Sequence, residues 1–128
     1  MDFVYEMKTG KDFETAVEDI RKALGARGFG VLWEMNFKDK LREKGLEFDV
    51  NFKVMEVCNP PKAKKVLDKD IEAGYMLPCK MAVYEKAGEV RIGMLKPISL
   101  VGLLGKEGLE TIAEEVEGIL KSAILEAV

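Results

Sequence analysis

The sequence predicts a two-layer α+β domain: a mostly antiparallel sheet with two long helices on one face. Three observations carry that expectation. Residues 3–7, 29–35, 50–58, 79–84 and 90–95 alternate apolar and polar side chains with the period of strands. Two stretches, about 12–26 and 109–124, repeat apolar residues at helical spacing instead. Between them the later strands are joined by Gly- and Pro-marked links, which suits a meander.

Length and charge set the outer bounds. The 128 residues make one domain, 1–128, with 48% apolar and 34% charged residues and a net charge of -3. That mixture argues for a soluble, ordered chain and against sequence-independent nucleic-acid binding, which needs a concentrated basic face. No apolar run is long enough for a membrane helix, so no membrane partner is expected. The segment Met1-Asp2-Phe3-Val4-Tyr5-Glu6 lacks the basic start and apolar core of a signal peptide, so the expected compartment is cytoplasmic. There the two cysteines stay reduced by default. The chain has no histidine. This excludes His-based triads, His-liganded zinc and His acid/base chemistry.

After the first strand, Asp12 is a helix cap, and Phe13, Val17, Ile20 and Leu24 form one apolar stripe. Gly28 supplies the left-handed stop. Phe29, Val31, Trp33 and Met35 then share a strand face, which predicts a core position for Trp33. A short charged helix over 37–45 turns Leu41 inward. In the next strand Val50, Phe52 and Val54 take the core parity, and Glu56 breaks it. Asn59 followed by Pro60 starts a further helix. Its early turns carry Lys62, Lys64 and Lys65, the wrong end for cations in the helix field. A hairpin turns at Ala87-Gly88. Residues 98–105, Ile-Ser-Leu-Val-Gly-Leu-Leu-Gly, read as a buried helix, a lid or a dimer contact. The last helix buries Leu109, Ile112, Ala113, Val116, Leu120, Ala123 and Ile124 and turns Glu110, Glu114, Glu115, Glu117 and Lys121 outward. The face away from the helices carries Leu32, Met55, Val57, Ala82 and Tyr84. It is half apolar, a dimer surface or a ligand groove.

The sharpest functional signal lies around the cysteines. Counting by two from Val54 reaches Cys58, and from Met81 reaches Cys79, so two thiols are expected on one side of the sheet. A meander then gathers Phe29, Glu56, Cys58, Asn59, Cys79 and Lys96 at one sheet edge. The candidate ligand-binding residues are Glu56, Cys58, Asn59, Cys79 and Lys96.

The segments Glu56-Val57-Cys58-Asn59-Pro60, Gly74-Tyr75-Met76-Leu77-Pro78-Cys79-Lys80 and Val83-Tyr84-Glu85 resemble the family called domain of unknown function 302. Gly28-Phe29-Gly30-Val31 and the Lys40-Leu41 to Gly45-Leu46 region are similar too. The resemblance covers nearly the whole chain. It implies a TATA-binding-protein-like fold, strand-helix-four strands-helix with a curved antiparallel sheet, and it implies no reaction. The likeness to a DNA binder is an analogy of fold alone.

The residues leave three uses open. One is thiol redox chemistry, with Cys58 near a helix start and Lys80 or Lys96 beside Cys79, although there is no Cys-x-x-Cys. A second is binding: a soft metal on the thiolates with Glu56, or a small organic ligand in an apolar groove anchored by Asn59. The third is a structural or interaction module whose cysteines are small core residues. The reading adopted is a homodimeric binding or accessory module. No cofactor is identified by the residues.

Overall fold

The computed structural model describes residues 2–128. Five strands are formed: β1 (Val4–Thr9), β2 (Gly30–Asn36), β3 (Phe52–Cys58), β4 (Cys79–Lys86) and β5 (Glu89–Leu95). They make one sheet in the order β1-β5-β4-β3-β2, with every neighbouring pair antiparallel. Helices α1 (Phe13–Gly25) and α5 (Glu110–Ala127) pack side by side on one face. Helices α2 (Phe37–Glu43), α3 (Pro60–Lys69) and α4 (Pro97–Leu104), with a 3₁₀ turn at Ile71–Met76, fill the connections. The two-layer α+β architecture expected from the sequence is present.

Local chemistry explains the long elements. The Asp12 carboxylate accepts the Thr15 N–H at 2.8 Å and caps α1. Phe13, Ala16, Val17, Ile20, Ala23 and Leu24 are buried from α1; Ile112, Ala113, Val116, Leu120, Ala123 and Ile124 from α5. Both stripes meet Met55, Val57, Met81, Val83, Val90, Ile92 and Met94 on the sheet. The β4–β5 hairpin turns on Ala87 (φ 52°) and Gly88 (φ 78°), two positive-φ residues that match the twist of its strands.

Three expectations are corrected. Trp33 is not in the core; it is 48% exposed. A bulge in β2 sets Val31 opposite Val57 but Trp33 opposite Glu56. One extra residue reverses the alternation beyond it. Trp33 therefore turns away from the helices, and Glu34 turns toward them. There Glu34 receives Arg21 of α1 and, at 3.1 Å, Lys53.

The parity of β3 is also the reverse of that expected. Met55 pairs with Met81 and Val57 with Cys79, so Met55 and Val57 are the helix-facing residues. Phe52, Val54, Glu56 and Cys58 take the other parity, so the two thiols are not on one side of the sheet as expected; they adjoin only because Cys58 ends β3 beside the start of β4. Both faces of β3 are apolar, so alternation alone does not choose between them. The third correction is Glu117, expected outside but 3% exposed. Its carboxylate accepts the Ile98 N–H at 3.0 Å. Helix α4 has no side-chain cap of its own at Lys96, so Glu117 of α5 supplies one from a neighbouring helix.

The remaining differences are smaller. Helix α2 buries no residue, and Leu41 is only half-buried. The segment 98–105 is α4, ended by Gly105 at φ 64°, with Ile98 and Leu103 exposed. Two of the α3 lysines are paired, Lys62 with Glu115 and Lys64 with Asp68 at 2.6 Å. Their charge is balanced by side chains.

Candidate functional site

The long helices leave the Cys79 end of the sheet to be closed by shorter elements. Helix α3, the 3₁₀ turn, α4 and the start of α5 meet there. They do not fill the space they enclose. A cavity of about 60 Å³ lies between them, lined by Val66, Met76, Leu77, Cys79, Leu100, Val101, Ile112 and Val116 among others. A second, of about 30 Å³, adjoins it and shares Val66, Leu77, Cys79 and Val116. Its far wall is Phe29, Cys58, Asn59 and Ala63. The walls of both are almost wholly apolar. Such a space stays dry, because water there lacks hydrogen-bond partners.

Both cysteines are free thiols and half-buried. Burial pushes the Cys79 thiol up to about 11, and the nearby Cys58 adds to the shift. At neutral pH Cys79 is therefore a protonated, apolar wall atom and a poor nucleophile. The folded chain holds this proton to higher pH than the unfolded chain does. The resulting stability is complete below the ordinary thiol pKa of about 8.5 and is lost as pH rises toward about 11. Alkylation of Cys79 at pH 8 should run roughly a hundredfold slower than that of an unfolded control. Peptide-level mass spectrometry checks this; labelling of Cys79 at the control rate would contradict it.

The sequence profile of a family described as Domain of unknown function DUF302 matches residues 5–127. The chain belongs to the DUF302 family. It is 37% identical to an uncharacterized conserved DUF302 protein from Bacillus stearothermophilus, whose crystal structure superposes with a TM-score of 0.96 over 100% of both chains. No curated protein matches. The shared DUF302 fold therefore rests on firm similarity, and the chemistry rests on the residues.

Within this DUF302 chain the five candidate residues separate. Cys58, Asn59 and Cys79 line the smaller cavity together. Glu56 lies on the opposite face, across from Lys80 and Trp33. Lys96 is the cap residue before α4, its N–H bonded to the Phe3 carbonyl at 2.7 Å, and lines neither cavity. Phe29 is core, 2% exposed, and also a cavity wall. Both ends of the Asn59 amide are engaged. Its oxygen accepts the Lys62 N–H at 3.1 Å, and its amide donates to the Gly28 carbonyl at 3.1 Å. It positions α3 against the α1–β2 turn.

Among the described residues no group of three acidic or sulfur side chains is placed to hold a metal. No helix among them is long and apolar enough to cross a membrane. The wall residues of α4 and α5 escaped the sequence reading. Their one signal was the uncharged run at 98–105, too apolar for a surface loop.

Proposed function

We propose that this protein is a binding module that takes a small apolar molecule, or the aliphatic end of a larger one, into the cavity beside Cys79. Under this reading the chain is no enzyme. The observation that carries it is the unfilled, apolar-walled space at the Cys79 end. Natural cores close such voids, since each forfeits packing energy. Helix α4 is the cover: Leu100 and Val101 face the cavity, and Glu117 fixes the start of the helix. The sheet is taken as curved around α1 and α5, which leaves its Cys79 end to the shorter helices.

Cys58 and Cys79 serve as wall atoms in this reading. A protonated Cys79 favours it over soft-metal or thiol-redox use, both of which need the thiolate.

The test is thermal unfolding in a homologous series, n-butanol to n-octanol, at equal low millimolar concentrations. A ligand that binds only the folded chain raises its stability by RT ln(1 + [L]/Kd). The expected result is a rise in Tm that saturates and peaks at one chain length. Uniform destabilisation that grows with chain length would overturn the proposal.

A further inference from the structure

The sheet face away from α1 and α5 carries a third and larger space, an open pocket of about 740 Å³. The register explains its shape. Val54, Ala82, Gly93 and Glu6 lie in one row across β3, β4, β5 and β1. Ala82 and Gly93 make the centre of that row low. The next row on one side is Phe52, Tyr84, Arg91 and Lys8, all long side chains. Glu56 and Lys80 stand on the other side, with Trp33 beyond them. The result is a trough with an aromatic wall. Phe52 and Tyr84 stack at 4.9 Å between centroids, and Phe37 meets Phe52 edge-on at 6.0 Å.

Its charges are unequal in their pairing. Glu6 accepts hydrogen bonds from Tyr84 and from Arg91, the latter at 3.0 Å. Glu89 is held by Lys8 at 2.9 Å. The acids near the aromatic wall are thus engaged, and the Arg91 Nε remains a buried donor without a partner. Lys80 and Lys86 line the pocket, and among the described residues neither makes a salt bridge. Glu56, opposite Lys80 in the register, makes none with it either. Both lysines belong to β4, six residues apart on the same face, with Ala82 and Tyr84 between them. At ~3.3 Å per residue their Cα atoms are about 20 Å apart. Two lysine side chains reaching inward leave about the length of a fused-ring system.

From this arrangement we infer a second binding site, for an elongated planar aromatic molecule with an anionic group at each end. The rings lie along β4, over Ala82 and against the stacked Tyr84 and Phe52 rings that stand between the two lysines. The two anionic ends meet Lys80 and Lys86. This site and the cavity at Cys79 are separate spaces that share Lys80 and Leu95 as border residues.

Naphthalene-2,6-dicarboxylate is the probe, followed through the fluorescence of Trp33, the single tryptophan of the chain. The expected result is saturable binding of the dianion, weaker binding of 2-naphthoate and none of the neutral diamide. K80Q and K86Q lie on exposed side chains and leave the fold intact. Each should weaken the dianion about fivefold, and the double variant should reduce it to the level of the diamide. Three results would overturn the inference. They are no saturation at millimolar probe, equal binding of dianion and diamide, or an unchanged affinity in the double variant. Sedimentation at rising protein concentration adds a fourth: a self-associated dimer that buries Trp33 and excludes the probe assigns this face to a second copy of the chain.

Discussion

Gly93→Val will separate β1 from the rest of the sheet. Gly93 sits in β5 between Ala82 of β4 and Glu6 of β1. A Cβ placed there comes within 2.8 Å of the Glu6 Cβ and 3.0 Å of the Tyr5 carbonyl oxygen. The second of these is backbone, so a rotamer change in Glu6 does not relieve it. Either β1 moves away from β5 or the β5 backbone shifts toward the helices. Overpacking of this kind costs about 3 kcal/mol. For a chain of this size that lowers Tm by ~10 °C. Gly30→Ala is the control, because a Cβ at Gly30 meets nothing within 4 Å. Calorimetry of the two variants checks the prediction. Equal Tm values would show that the close approach of β1 and β5 is wrong.

Glu117→Ala should release α4. The 3% exposed carboxylate accepts the Ile98 N–H at 3.0 Å and lies 3.4 Å from the Lys121 ammonium. Its removal leaves an α-helix start with no capping side chain and a void beside it. A hydrogen bond to a charged acceptor contributes about 1.5–3 kcal/mol, and the lost burial adds to this. Glu117→Gln keeps an acceptor in place and should recover about half. The readout specific to this role is amide exchange over Pro97–Leu104, which should speed up while the α1 amides stay protected. Uniform loss of protection would mean that Glu117 supports the whole core. No loss at all would mean that α4 is held by its apolar contacts alone.

The sheet and its two long helices are legible in the sequence because their signals are local and periodic. Ile20 and Leu24, or Ile112, Val116 and Leu120, announce a buried stripe without help from any other segment. Trp33 shows where that logic stops. Its parity with Phe29 and Val31 is sound until a bulge adds one residue, and no glycine or proline marks the position. Val54 and Met55 show another limit: both sides of β3 are apolar, so only the pairing with β4 decides which faces the helices. Glu117 looks like one more acid on an acidic helix until α4 packs over it.

The candidate site was legible only in part. Cys58, Asn59 and Cys79 do converge, since the meander brings the end of β3 beside the start of β4. Glu56 and Lys96 share that end of the sheet but not the cavity: Glu56 lies within β3 on the other face, whereas Cys58, of the same parity, ends the strand and borders the cavity there, and Lys96 precedes α4. The cavity itself belongs to no segment. Val66, Met76, Leu100 and Val116 come from four different helical elements, and a void among them is a property of their packing.

The central claim is that the space beside Cys79 admits an apolar guest. ¹³C-methyl NMR during titration with n-hexanol tests it most directly. The account predicts saturable shifts confined to the methyl groups of Val66, Leu77, Leu100, Val101, Ile112 and Val116, lost when Ala113→Leu fills the cavity. Shifts spread over the exposed Leu32, Leu46 and Leu125, or unchanged in the filled variant, would contradict it.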